Sequence, residues 1–351
     1  MNRLLFAGLM VAAPLALALG ACSQETAPTE TNKVQLPQAI AGAGAVRMAA
    51  GLDQVVQPGA VVEKVATGYK FVEGPLWRNG ELWFSDLQGN TLNALGADGK
   101  TRVLMQKAGG LDSFPDGQYG GSNGMIADKD GSVLLDQHGL RRIARLDANF
   151  NATTAIDRFE GKRLNSPNDM AFHPDGSLWF TDPPYGLPGQ DTDPAKEVKF
   201  NGVYRFADGK LGAAIRDLPR PNGIGFSPDG KVLYISNSGP DMFINRYDVG
   251  PGGKVSGGRR FFEFPKRGSA PPPDVPDGLK VDSTGNVWAS GPGGIRVISP
   301  EGGLLGQIRV PEVAANLIFG GPDLKTLYIL ASTSVYRMPV LVAGQAPLYS
   351  K

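Results

Sequence analysis

The chain has 351 residues, with 35 Lys and Arg against 34 Asp and Glu, two His and one Cys. This near-zero balance, without a basic block or an aromatic run inside one, excludes nucleic acid as an expected partner and favours a neutral small molecule. A single cysteine excludes an internal disulfide, and two histidines beside it leave no zinc or transition-metal set of ordinary composition.

Residues 1–21 carry one early Arg and then an apolar stretch interrupted by Pro14, too short for a comfortable membrane span, which predicts a signal peptide. The peptide ends Leu19-Gly20-Ala21-Cys22, a pattern that resembles a bacterial lipobox, in which the cysteine is lipidated and becomes the first mature residue. Cys22 is therefore expected to carry a lipid anchor, the only expected link to a membrane. Ser23 beside it suggests export to the outer membrane, facing the periplasm. Processing would remove Arg3 from the 35 basic residues and leave 34, equal to the acidic count. Residues 22–59 are mostly small and polar, which predicts a flexible tether, and residues 60–351 are read as one globular domain.

Within that domain a similar phrase opens six times: at Glu73 (EGPLW), Asn123 (NGMIA), Asn168 (NDMAF), Asn222 (NGIGF), Asp277 (DGLKV) and Asn316 (NLIFG). Each copy continues through an apolar run and a turn to a second apolar strand; Asp-Gly or Thr-Gly at several of these turns is a strong hairpin signal. Strand patterns repeated every roughly 40 to 55 residues, with no helical periodicity, predict an all-β fold, a six-bladed β-propeller of about four strands per blade. The last copy supplies too few strands, and its tail LVAGQAPLYSK is a poor fourth. The segment AVVEKVATGYKF before Glu73 lacks a blade of its own, so it is expected to close the ring by joining the last one.

The innermost strand of every propeller blade lines the central channel, so equivalent polar residues at the strand starts converge. Read singly, each of the six is also a reasonable turn residue. Read in register, Glu73, Asn123, Asn168, Asn222, Asp277 and Asn316 form a ring of side-chain oxygens at one mouth. Two carboxylates with several amide oxygens suit a hard cation, and Ca²⁺ fits best.

Other motifs carry less. Gly120-Gly121-Ser122-Asn123-Gly124 has the letters of a hydrolase nucleophile elbow, but a hairpin follows where a helix is required. GPGGI at 291–295 lacks the Lys-Ser or Lys-Thr of a phosphate loop. His173 falls at a hairpin turn and reads as structural. His138 ends the second strand of its blade, where it fits either a channel role, orienting substrate or shuttling a proton, or a packing role. The long insertion over 183–201 reads as either a lid hanging over the pocket or a disordered loop, with Tyr185 as a substrate contact or an exposed loop tyrosine.

EGPLW at 73, SPND at 166–169, the DPPYG loop, PNGIGFSPDG at 221–230 and PDGLKVD at 276–282 together resemble the senescence marker protein, gluconolactonase and luciferin-regenerating enzyme family. The likeness covers about residues 60–340 and is strongest to the bacterial gluconolactonase branch. It implies a six-bladed propeller with a divalent metal site in the central channel, usually Ca²⁺, with Mg²⁺, Mn²⁺ or Zn²⁺ as alternatives. It also implies Glu73, Asn168, Asn222 and Asp277 as metal ligands, Asp277 as general base, and Asn123 and Asn316 as channel residues that touch substrate. The implied activity is metal-dependent hydrolysis of a sugar-acid lactone such as gluconolactone. Phosphotriesterase chemistry on the same platform and a non-enzymatic ligand-binding propeller are the alternatives.

Overall fold

The computed structural model describes residues 38–40, 42–265 and 274–349. The predicted signal peptide, Cys22 and the first part of the expected tether lie outside the described residues. The regular structure of the described residues is almost entirely strand, in six blade sheets arranged as a propeller and one separate two-stranded hairpin of Arg158–Phe159 with Lys162–Arg163.

Blade 1 runs Val72–Arg78, Glu81–Asp86, Thr91–Leu95 and Thr101–Gln106 from the channel outward. Blades 2 to 5 begin with Ser122–Ala127, Met170–Phe172, Pro221–Phe226 and Leu279–Val281. Blade 6 begins with Ala314–Gly320, and its fourth strand is Glu63–Thr67, antiparallel to Ser334–Pro339 with Ser334 opposite Thr67. The ring is thus closed by the segment the sequence left without a blade. Six apolar clusters fill the gaps between neighbouring blades; Trp288, Leu317 and Tyr336 lie in one, Trp179 and Phe226 in another. Burial of such side chains, at about 1.5–3 kcal/mol each, holds the blades together without a disulfide.

The same repeat position staples blade to blade near the channel. Ser85, Thr181, Ser236 and Ser290 each donate a side-chain hydroxyl to a backbone carbonyl of the next blade, at Asn123, Asn222, Asp277 and Ala315. The glycine after the opening residue is required by the same closeness. A Cβ on Gly124 would stand 2.5 Å from the Asn168 carbonyl oxygen, and Cβ atoms on Gly74 and Gly223 would collide with the backbone of Asn123 and Asp277.

Two terminal segments differ from expectation. The flexible tether predicted over 22–59 does not extend through the described part of that range. Gly44–Arg47 adds a fifth strand to blade 5, Gln38–Ala39 adds one to blade 6, and a 3-10 turn over Ala50–Gln54 leads Leu52, Val55 and Val56 into the cluster between blades 5 and 6. Three apolar side chains in an otherwise small and polar run, next to open sheet edges, suffice to dock it. At the other end, the tail crosses the mouth of the channel away from the strand starts. Gly344 bridges Asp282 of blade 5, Gln345 Nε2 donates to the Phe226 carbonyl of blade 4 at 2.8 Å, and Tyr349 packs edge-on against Phe172 of blade 3 at 4.8 Å.

Candidate functional site

At the strand-start end, a cavity of about 270 Å³ is lined by Glu73, Asn123, Asn168, Asn222 and Asp277. Each comes from a different blade, so the ring expected from five of the six repeats is present. Ladder irregularities span Glu73 to Leu76, Ser122 to Met125 and Pro221 to Ile224. Bulges of this kind turn a side chain out of the strand's alternation, here toward the axis.

The amides form a chain. Asn123 Nδ2 donates to Asn168 Oδ1 at 2.8 Å, Asn168 Nδ2 to Asn222 Oδ1 at 2.6 Å, and Asn222 Nδ2 to Ser238 Oγ at 3.0 Å. Asn123 Oδ1 is buried without a partner. Glu73 is only 2% exposed; its Oε2 accepts the Gly74 N–H at 2.5 Å and Asn316 Nδ2 at 2.9 Å. Asn316, expected as a channel residue that touches substrate, is not among the residues that line the cavity; its amide is engaged with Glu73.

Electrostatically the site gathers carboxylates whose charged forms are disfavoured. Burial pushes the Glu73 carboxyl up, opposed by the Gly74 N–H and Asn316; burial, then the charges of Glu73 and Asp169, push Asp277 up. Lys280, with its Nζ 3.4 Å from Asp169 Oδ2, opposes both shifts. Among the described residues no group of three or more His, Cys, Asp or Glu is arranged to hold a metal. The convergent set is instead mixed, the buried Glu73 and the half-buried Asp277 carboxylates, which repel each other, beside a row of amides with one orphaned oxygen. A divalent cation among Glu73, Asn168, Asn222 and Asp277 would relieve the repulsion and suit these hard oxygen donors, so the residues fit such a group.

His138 also lines the cavity. Its Nδ1 lies 3.1 Å from the Tyr119 carbonyl and its Nε2 3.5 Å from Asn123 Nδ2. Burial lowers its pKa to about 4, so it is a neutral imidazole at pH 7. His173, by contrast, is a turn residue bonded to the Gly230 carbonyl at 3.1 Å. Tyr185 reaches the cavity from the insertion, its buried hydroxyl without a hydrogen-bond partner and its pKa raised by burial.

The insertion over 183–201 is a fixed wall in this structure. Ser166 Oγ donates to the Pro183 carbonyl at 2.6 Å and accepts the Gly186 N–H at 2.9 Å, Arg141 Nη1 donates to the Ala195 carbonyl at 2.9 Å, and Glu197 accepts the Arg163 N–H at 2.8 Å.

Several residues of the site were not found from sequence. Leu87 and Ser238 occupy the repeat position of His138, two residues after the Ser85 and Ser236 hydroxyls, and all three line the cavity; the register that led to His138 could have led to them. Asp136 takes the hydroxyl position in blade 2, fully buried, with both carboxylate oxygens unpartnered. Burial, then the charges of Asp169 and Asp182, raise its pKa well above the usual range. Phe71, Tyr119, Gln190, Arg220 and Val275 complete the lining, outside the repeat.

Residues 71–333 match the family model described as the SMP-30/Gluconolactonase/LRE-like region. The chain is 35% identical over 308 residues to a gluconolactonase of Zymomonas mobilis, covering 84% of this chain and 85% of the relative. It is 28% identical over 281 residues to a pentonolactonase of Haloferax volcanii, covering 77% and 84%. Its fold superposes on a solved gluconolactonase of Xanthomonas campestris with a TM-score of 0.76 at 29% identity, covering 88% of this chain and 99% of that one. With the family model spanning most of the propeller, the chain belongs to the SMP-30, gluconolactonase and luciferin-regenerating enzyme family.

Proposed function

We propose that this protein is a divalent-cation-dependent lactonase acting on a sugar-acid lactone such as gluconolactone. The observation that carries the reading is the convergence of Glu73, Asn168, Asn222 and Asp277, from four blades, on one cavity in a chain related to two lactonases. Those four residues would hold the cation, with Ca²⁺ favoured by an all-oxygen set. When bound, it supplies a Lewis-acidic charge that polarises the lactone carbonyl, a contribution of several kcal/mol.

The chain's own residues do the rest. Asp277, at the cavity surface, takes the proton of the attacking water at a carboxylate oxygen. Asn316 and the Gly74 N–H hold Glu73 in one rotamer, so the first ligand is preorganised. His138, neutral at pH 7, orients Asn123 and through it the amide row. Tyr185 keeps its proton, and its unpartnered hydroxyl is available to donate to substrate from the wall. Phe71, Leu87 and Val275 exclude water from the opposite side, which strengthens each electrostatic contact.

The signal peptide and the lipid on Cys22 belong to the same proposal: an exported enzyme tethered at the outer membrane, facing the periplasm. Turnover of glucono-1,5-lactone, corrected for spontaneous opening, against turnover of a phosphotriester tests the assignment. A lactone rate far above the phosphotriester rate is expected; the reverse order would contradict it.

A further inference from the structure

The cavity has two unlike side walls. Phe71, Tyr119, Leu87 and Val275 form an apolar one, with Phe71 and Tyr119 edge to face at 5.6 Å. Tyr185, Gln190 and Arg220 form a polar one. Tyr185 and Gln190 come from the insertion, while Arg220 precedes Asn222 by two residues at the start of blade 4.

The guanidinium of Arg220 is held in one place. Its Nη1 donates to Gln190 Oε1 at 2.6 Å, its Nη2 lies 2.7 Å from Asp191 Oδ2, and its plane sits 5.8 Å from the centre of the Tyr185 ring. Asp191 is in turn fixed by Lys196 Nζ at 3.2 Å and Asn201 Nδ2 at 3.0 Å. A guanidinium has five N–H donors in a rigid fork. The two partners engage one Nη each, and the remaining donors belong to a side chain that lines the cavity.

We propose that Arg220, held by Asp191 and Gln190, is a specificity-determining residue that donates hydrogen bonds to the hydroxyl groups of a polyhydroxylated lactone. The inference rests on the lactonase reading above and names its substrate class. Attack on the carbonyl engages the strand-opening residues alone. The ring hydroxyls of a sugar-acid lactone, however, lose water on entering the cavity and need protein donors in exchange, while the C–H face of the ring suits the apolar wall opposite. A site built to pair hydroxyls discriminates against the analogue that lacks them.

The test is steady-state kinetics of the full-length protein on glucono-1,5-lactone and on δ-valerolactone, the same ring without hydroxyls. In Arg220→Met the ratio of kcat/KM for the two lactones should fall at least about tenfold, the size of one lost charge-assisted hydrogen bond, with most of the loss in KM. Arg220→Lys should recover part of the ratio, and Asp191→Asn should lower it in the same direction by less, so the reading survives if Arg220→Met fails to fold. Equal losses on both lactones would make Arg220 a support of the wall only and overturn the proposal, as would an unchanged ratio. A wild-type protein inactive on both lactones would overturn the lactonase reading itself, and this inference with it.

Discussion

The same six inner strands build both ends of the channel, yet the two ends are opposites. At the strand starts Glu73, Asn123, Asn168, Asn222 and Asp277 face a polar cavity. Two to four residues further along, Leu76, Trp77, Met125, Phe226 and Phe319 face an apolar space roofed by the tail from Gln345 to Tyr349. Between them lies the Lys280–Asp169 pair at 3.4 Å. The contrast separates two tasks: mutually repelling groups are gathered where a ligand can compensate them, and the apolar area that holds the blades is kept at the closed end.

The largest effect expected at the open end is that of Asp277→Asn, which should lower kcat by about 10²–10⁴-fold while the melting temperature stays close to wild type, since a carboxylate repelled by Glu73 and Asp169 has been removed. Full activity in that variant would take Asp277 out of the mechanism. Glu73→Gln should weaken Ca²⁺ binding at least about tenfold by calorimetry, and an unchanged affinity would contradict its place among the ligands.

The open end should also carry a pH signature that the closed end lacks. His138 titrates near pH 4 when folded and, as an ordinary imidazole, near 6.5 when unfolded. Between those values the unfolded chain binds a proton that the folded chain does not. The contribution of His138 to stability should therefore fall as pH drops from 6.5 through 4, by about 3 kcal/mol, against the opposite contribution of the buried carboxylates whose pKa values are raised. Denaturant titrations of wild type and His138→Gln would show this slope lost in the variant; the same slope in both would assign it elsewhere.

The smallest effect on catalysis should come from the closed end. Deleting residues 341–351 uncovers the apolar space and should lower stability by about 2–3 kcal/mol, with kcat on the lactone within about twofold of wild type. A collapse of kcat at unchanged stability would show that the two ends are not separate.

How far each end could be read from sequence follows the same division. The open end was legible because its residues recur in register: one position, repeated, placed Glu73, Asn123, Asn168, Asn222 and Asp277 at one spot. Register gives a residue's place but not the direction of its side chain, so the hydrogen bond from Asn316 to Glu73 is visible only in the structure. Arg220 and Gln190 were missed because they meet across 30 residues, through an insertion that belongs to no repeat. The strand over Gly44–Arg47 and the roof over 345–349 were missed because average composition there is small and polar, while docking depends on a few apolar side chains such as Leu52 and Tyr349.

The central claim is that the ring of carboxylates and amides works by holding a divalent cation over a lactone. Hydrolysis of glucono-1,5-lactone measured before chelation, after chelation and after Ca²⁺ is restored tests it most directly. The account expects the enzymatic rate to vanish with the chelator and return with Ca²⁺. A rate that survives complete chelation, with metal content shown to be nil, would contradict it.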